Sequence, residues 1–120
     1  MNSASPAPPG AQILHGGAER LPLRWLNIEE PPARISRYRV ASGASVSLHV
    51  HTGKAEYWVI LSGHGVVRVG ATSIPVAEGD IVVTPPSVPH GLINTGSADL
   101  TFLNIVQPTG DEITSVEVAG

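Results

Sequence analysis

The stretch GASVSLHVHTGKAEYWVILSG, residues 43–63, decides how the chain is read. SVSLHVH (45–51) and AEYWVILSG (55–63) carry the β-branched and aromatic residues of strands, and TGK turns between them. His49 and His51 stand two apart, so in a strand their side chains share one face. Glu56 lies just past the turn, where the neighbouring antiparallel strand begins. Paired strands lie about 4.8 Å apart, so a hairpin brings these three donors within reach of one point. The whole chain has only five histidines. Two on one strand face therefore ask whether that face is core, solvent or a metal site.

Working outward, the chain of 120 residues holds thirteen glycines and eleven prolines, and they punctuate it closely. AQILH (11–15) and LRWLNI (23–28) read as short strands, and EEPP (29–32) breaks the chain. ARISRYRVA (33–41) alternates as a strand does. GHG (63–65) reads as a hairpin turn into GVVRVG (65–70), and TSIPVA (72–77) follows, with Pro75 marking an edge or a bulge. EGD (78–80) turns into DIVVTPP. PHGLINTG (89–96) and DLTFLNIVQP (99–108) close the body, and the tail DEITSVEVAG adds an edge strand. No segment sustains a 3.6-residue apolar period with helix caps. Short strands at regular spacing between Gly and Pro turns predict an all-β sandwich or barrel. Residues 1–10 read as a flexible leader rich in Pro, Ala and Ser, and 11–120 as one domain.

Composition excludes several classes. Charged residues are 14% of the chain, the formal net charge is −3, and the seven Lys and Arg form no block. Nucleic acid and acidic membrane surfaces are therefore not expected partners. The N-terminus has neither the positive charge nor the apolar run of a signal peptide, and no apolar run reaches eighteen residues, so a soluble cytoplasmic protein is expected. With no cysteine, any metal must be held by nitrogen and oxygen. A fourth donor is available in His90, which follows the proline-rich PPSVPH (85–90).

At these residues the chain resembles the cupin superfamily. Gly43, His49, His51, Glu56 and Gly63 fill every fixed place of its first motif, G-x5-H-x-H-x3,4-E-x6-G. Gly79, Pro85, His90 and Asn94 match the second, G-x5-P-x-G-x2-H-x3-N, with Ser87 standing where glycine is usual. The segments KAEYWVILSGHG and EGDIVVTPPSVPHGLINTG look most like the mannose-6-phosphate-isomerase-like members. The resemblance implies a double-stranded β-helix, or jelly-roll barrel, with His49, His51, Glu56 and His90 lining its interior around one divalent metal. Three nitrogens and one oxygen suit Fe, Mn, Ni, Zn, Co or Cu, and two coordination positions remain for substrate. No organic cofactor is expected.

Around this centre, Trp58, Asn94 and Phe102 are candidate pocket residues, Trp58 because it shares parity with Glu56. Core packing of the aromatics and a turn hydrogen bond from Asn94 are the plainer alternatives. Tyr38 is a candidate acid or base. Arg37 and Arg39, if inward, could clamp a carboxylate or phosphate. Lys54 is expected at the solvent-exposed turn, and His15 and His64 are not expected to be ligands. The resemblance favours a metal-dependent isomerase-like enzyme acting on a sugar or a hydroxy or keto acid. An Fe(II) dioxygenase and a non-catalytic small-ligand-binding protein are the alternatives. By the same likeness, and from the apolar Ile13, Leu14, Trp25 and Leu26, a homodimer pairing through residues 11–28 is expected.

Overall fold

Alternating apolar and polar residues build eleven strands in the computed structural model, which describes residues 9–119. Residues 1–8 of the expected leader lie outside the described residues. The strands are β1 (Gln12–Ile13), β2 (Glu19–Pro22), β3 (Arg34–Val40), β4 (Ser45–Thr52), β5 (Lys54–Ser62) and β6 (His64–Val69). They continue with β7 (Thr72–Ala77), β8 (Ile81–Thr84), β9 (His90–Ile93), β10 (Leu100–Pro108) and β11 (Thr114–Glu117). One sheet has the order β1-β2-β3-β10-β5-β8 and the other β11-β4-β9-β6-β7. All strand pairs are antiparallel. This is the double-stranded β-helix expected of a cupin. No helix among the described residues is long and apolar enough to cross a membrane.

From β3 onward the chain passes back and forth between the two sheets, and only β6 and β7 form a hairpin. This corrects two sequence expectations. The turns after β4 and after β5 are corners between sheets, because β4 bonds to β9 and β11 while β5 bonds to β10 and β8. Gly63 makes the second corner with φ of 81°, and a Cβ there would stand 2.5 Å from the Asp99 carbonyl oxygen. The early strands also shift. The second one is Glu19–Pro22 and not 23–28, because Glu19 to Pro22 pair with β3. Beyond Pro22, one further bond runs from Leu23 N–H to the Ile35 carbonyl, and the segment then leaves the sheet edge. The tail does add an edge strand, β11, and β7 with its Pro75 is the opposite edge.

Cross-strand register defines what faces inward. In the first sheet one inward row is Arg20, Tyr38, Phe102 and Ile60. The next is Ser36, Asn104, Trp58 and Val82, and the third is Arg34, Val106, Glu56 and Thr84. Tyr38 stacks on Phe102 at 4.7 Å between ring centroids, and Trp58 lies 4.9 Å from Phe102. These rings pack with Val40, Ile60, Val67, Leu92 and Leu100, all buried. Each large apolar side chain so buried contributes roughly 1.5–3 kcal/mol.

The turn that delivers His90 holds the one departure from the sequence motif. Ser87 has φ of 65°, the only positive value at a non-glycine position among the described residues, so it takes the shape that glycine takes elsewhere. Its N–H donates to the His51 carbonyl at 2.6 Å, tying the turn to β4. Left-handed backbone costs a side chain about 1–2 kcal/mol, and glycine adds back less than that in unfolded-state freedom. Ser87→Gly is therefore expected to stabilise the fold by about 0.5–1 kcal/mol, read as a higher midpoint in urea unfolding; an unchanged or lower midpoint contradicts the strain.

Candidate metal centre

A bulge in β4 creates the site. Val46 pairs with Leu92 and His49 with His90, so three steps along β4 oppose two along β9. The extra residue resets the alternation, and Val46, His49 and His51 all turn inward. Gly91 permits it, because a Cβ there would stand 2.9 Å from the Val46 carbonyl oxygen. His90 enters from the first position of β9.

The three histidines meet. Each offers a ring nitrogen within 4.8 Å of the other two. Their centroids lie 4.5 Å apart for His49 and His51, 4.3 Å for His49 and His90, and 5.1 Å for His51 and His90. Each Nδ1 faces a backbone carbonyl: His49 that of Ser47 at 2.6 Å, His51 that of Thr114 at 3.2 Å, His90 that of Val88 at 3.1 Å. A carbonyl only accepts, so each Nδ1 carries the proton and each neutral ring keeps its lone pair on Nε2.

Glu56 reaches the trio from the opposite sheet. Its Oε2 lies 3.3 Å from His51 Nε2 and its Oε1 4.0 Å from His90 Nε2. Oε1 accepts the Trp58 indole N–H at 3.0 Å, and Oε2 pairs with Lys54 Nζ at 3.2 Å. Burial raises the Glu56 carboxyl, but Trp58, Lys54 and the imidazoles outweigh it and hold the carboxyl below its usual range. Burial pushes His51 down to about 4, helped by Lys54 and the other imidazoles against the pull of Glu56. Burial likewise lowers His90. Burial, then the Glu56 charge, raises the Tyr38 phenol.

This donor set fits a divalent transition metal. Neutral imidazoles leave the His51 Nε2 lone pair facing a carboxylate oxygen, a repulsive contact that a cation between them reverses. His90 Nε2 is buried with no hydrogen-bond partner, a loss of about 1–3 kcal/mol that a ligand bond recovers. Carbonyl partners behind each ring are the supports that metal-binding histidines need.

Other expected residues lie elsewhere. Arg37 and Arg39 point from the outer face of the first sheet, since Tyr38 between them points in, and Arg39 pairs with Glu19 at 2.8 Å. Phe102 is fully buried in the core and does not line the pocket. Trp58 lies beneath the site, holding Glu56 and standing edge-on to His90 at 5.5 Å. Asn94 shapes a turn, donating to the Val40 and Ala98 carbonyls and accepting the Gly96 N–H. Tyr38 does line the pocket, a cavity of about 600 Å³ shared with His49, His51 and Glu56. Lys54 is largely buried there, not at an exposed turn, because β5 begins at Lys54 and gives it the parity of Glu56. Arg20, Arg34 and Asn104 also line this cavity and were missed. The inward parity of Asn104 between Phe102 and Val106 is a usable signal, whereas Arg20 falls between the short strands expected at 11–15 and 23–28.

The Cupin domain family model matches residues 36–106. An oxalate-binding protein of Thermotoga maritima is 31% identical over 110 residues, 88% of this chain and 91% of that protein. A solved structure from the same organism, described as a predicted oxalate decarboxylase, is 33% identical with a TM-score of 0.70, covering 78% of this chain and 82% of its own. A mannose-1-phosphate guanylyltransferase of Klebsiella pneumoniae is 32% identical over 78 residues, 65% of this chain but 17% of that enzyme's length.

The histidine environment sets a pH dependence. An unfolded histidine takes up its proton near pH 6.5, whereas folded His51 resists to about 4. Between these values the unfolded chain binds more protons, so acid favours unfolding. Metal-free protein, kept in chelator, should hold full stability above about pH 6.5 and lose melting temperature steadily toward pH 4. A flat profile over that window contradicts neutral buried imidazoles.

Proposed function

The chain belongs to the cupin domain family, and on that premise we propose that it is a divalent-metal protein taking a small carboxylate of the oxalate kind. Glu56 joins His49, His51 and His90 as a ligand in this reading. The observation that carries it is the charge of the cavity. Three of the chain's seven Lys and Arg side chains, Arg20, Arg34 and Lys54, line one pocket with Glu56 and Glu117, so cations outnumber carboxylates there although the chain is acidic. Such a concentration draws in an anion.

A bound divalent ion supplies Lewis acidity toward a carboxylate or carbonyl oxygen. The protein's own groups do the rest. The carbonyls of Ser47, Val88 and Thr114 aim the three imidazoles, and the Trp58 N–H fixes Glu56. Lys54 stands beside Glu56 and offers its ammonium to an arriving carboxylate. Support for oxalate comes from the Thermotoga maritima relative and from that organism's solved structure. Sugar isomerisation rests on less. Its nucleotidyltransferase relative is matched over 17% of its length, and Tyr38 and Glu56 are both moved away from neutrality, Tyr38 raised and Glu56 lowered. For the Fe(II) dioxygenase alternative, oxygen uptake by iron-loaded protein given oxalate would favour it over simple binding.

Calorimetry tests the proposal. Protein loaded with Mn(II) and freed of unbound metal should bind oxalate, and metal-stripped protein should not. Lys54→Met should weaken oxalate binding by about tenfold or more, the worth of one charge-assisted hydrogen bond. Equal binding with and without metal, or none in either, removes the proposal. The homodimer is part of the same reading: Ile13, Leu26 and Ile28 stay exposed on the single chain. Light scattering at micromolar concentration should return twice the chain mass of 12.5 kDa; a monomer mass rejects that part.

A further inference from the structure

Arg20 is a cation that the metal end of the cavity does not use. It stands opposite Tyr38 in the β2–β3 register and faces inward in the same row. Its Nε donates to Gln12 Oε1 at 3.0 Å, and its Nη2 donates to the same oxygen. This partner is neutral. Among the described residues no carboxylate pairs with Arg20, whereas Lys54 has Glu56 and Arg39 has Glu19.

Asn104 lines the same cavity, one inward row nearer Glu56. Its Oδ1 is buried without a hydrogen-bond partner. A carbonyl oxygen in this state needs a donor. Arg20, Tyr38 and Asn104 thus form a second polar station in the cavity, holding one uncompensated positive charge and one acceptor without a donor.

The station stands apart from the metal end in the sheet: β2 is three strands from β5, and Arg20 lies two inward rows from Glu56. A single small carboxylate held at the metal end leaves the Arg20 charge and the Asn104 acceptor unmatched. We infer that the pocket selects a longer ligand, a hydroxylated dicarboxylate of about four to six carbons, whose remote carboxylate pairs with Arg20 and whose hydroxyl donates to Asn104 Oδ1. The inference rests on the carboxylate reading of the metal end and adds the length and class of the ligand. Arginine suits the task because its planar fork engages both oxygens of a carboxylate. Asn104 supplies the discrimination, since a diacid without the hydroxyl leaves Oδ1 still unpaired.

Calorimetry on the full, Mn(II)-loaded chain with oxalate, succinate and L-malate as probes tests this. Malate should bind about tenfold or more tightly than succinate. Arg20→Gln should weaken malate by a similar factor and oxalate far less, since oxalate loses only the general pull of one positive charge in the cavity. Asn104→Leu should abolish the preference for malate over succinate; retained oxalate binding shows that this variant is folded. If oxalate binds and malate is no tighter than succinate, or if Arg20→Gln weakens oxalate and malate alike, the second station is refuted and the metal-end reading stands. Malate binding that depends on Arg20, without any oxalate binding, upholds the station and refutes the oxalate-type reading. Binding of none of the three overturns both.

Discussion

Three backbone carbonyls, those of Ser47, Val88 and Thr114, each accept a proton-bearing Nδ1 from a histidine of the site. Each bond settles a ring's tautomer and its orientation together, because a carbonyl can only accept. Every lone pair is thereby left on Nε2, directed to the interior. The carbonyls come from three different places: the bulge in β4, the turn before β9, and the edge strand β11. Both sides of the second sheet must be in register before the trio can act as one donor set. A helical or hairpin scaffold of the same sequence spacing would not supply these acceptors.

Around this trio the electrostatics are balanced by proximity. Burying a carboxylate as deeply as Glu56 is unfavourable unless opposite charge or hydrogen bonds reach it. Trp58 and Lys54 do so from positions two residues away on either side of Glu56, all on the inward face of β5. The same burial that threatens Glu56 keeps His51 and His90 neutral, which is the form that binds metals. One apolar surrounding thus produces both an ionised carboxylate and neutral imidazoles, because their partners differ. The outcome is a cavity lined by Arg20, Arg34 and Lys54 in a chain whose net charge is negative.

The ligand types of the site were legible, and so was the all-β architecture. His49, His51, Glu56 and His90 stand at motif spacing, and Gly and Pro turns recur between strand-like runs. The route by which Glu56 reaches the histidines was not legible. A hairpin between 45–51 and 55–63 is the local expectation, yet the two strands belong to different sheets, and the approach is face to face. Strict alternation also places Val46 opposite to His49, whereas the bulge puts both inside. A bulge has no local signature here, because its cause is the close passage of Gly91 in a strand more than forty residues away. Arg37 and Arg39 attracted notice as a pair, but the inward side chains were their neighbours Tyr38 and, from another strand, Arg20.

By itself the sequence determined which residue types can bind a metal, their spacing, and the turn positions at which the chain must bend. These are properties of neighbours a few residues apart, and steric rules for turns and strand alternation act at that range. Tertiary structure alone decided which cations share the cavity and which polar atoms lack partners. Arg20, Lys54 and Asn104 come from three strands, and their common environment exists only when two sheets close over one interior. Pairing between strands distant in the chain, not local preference, brings them together.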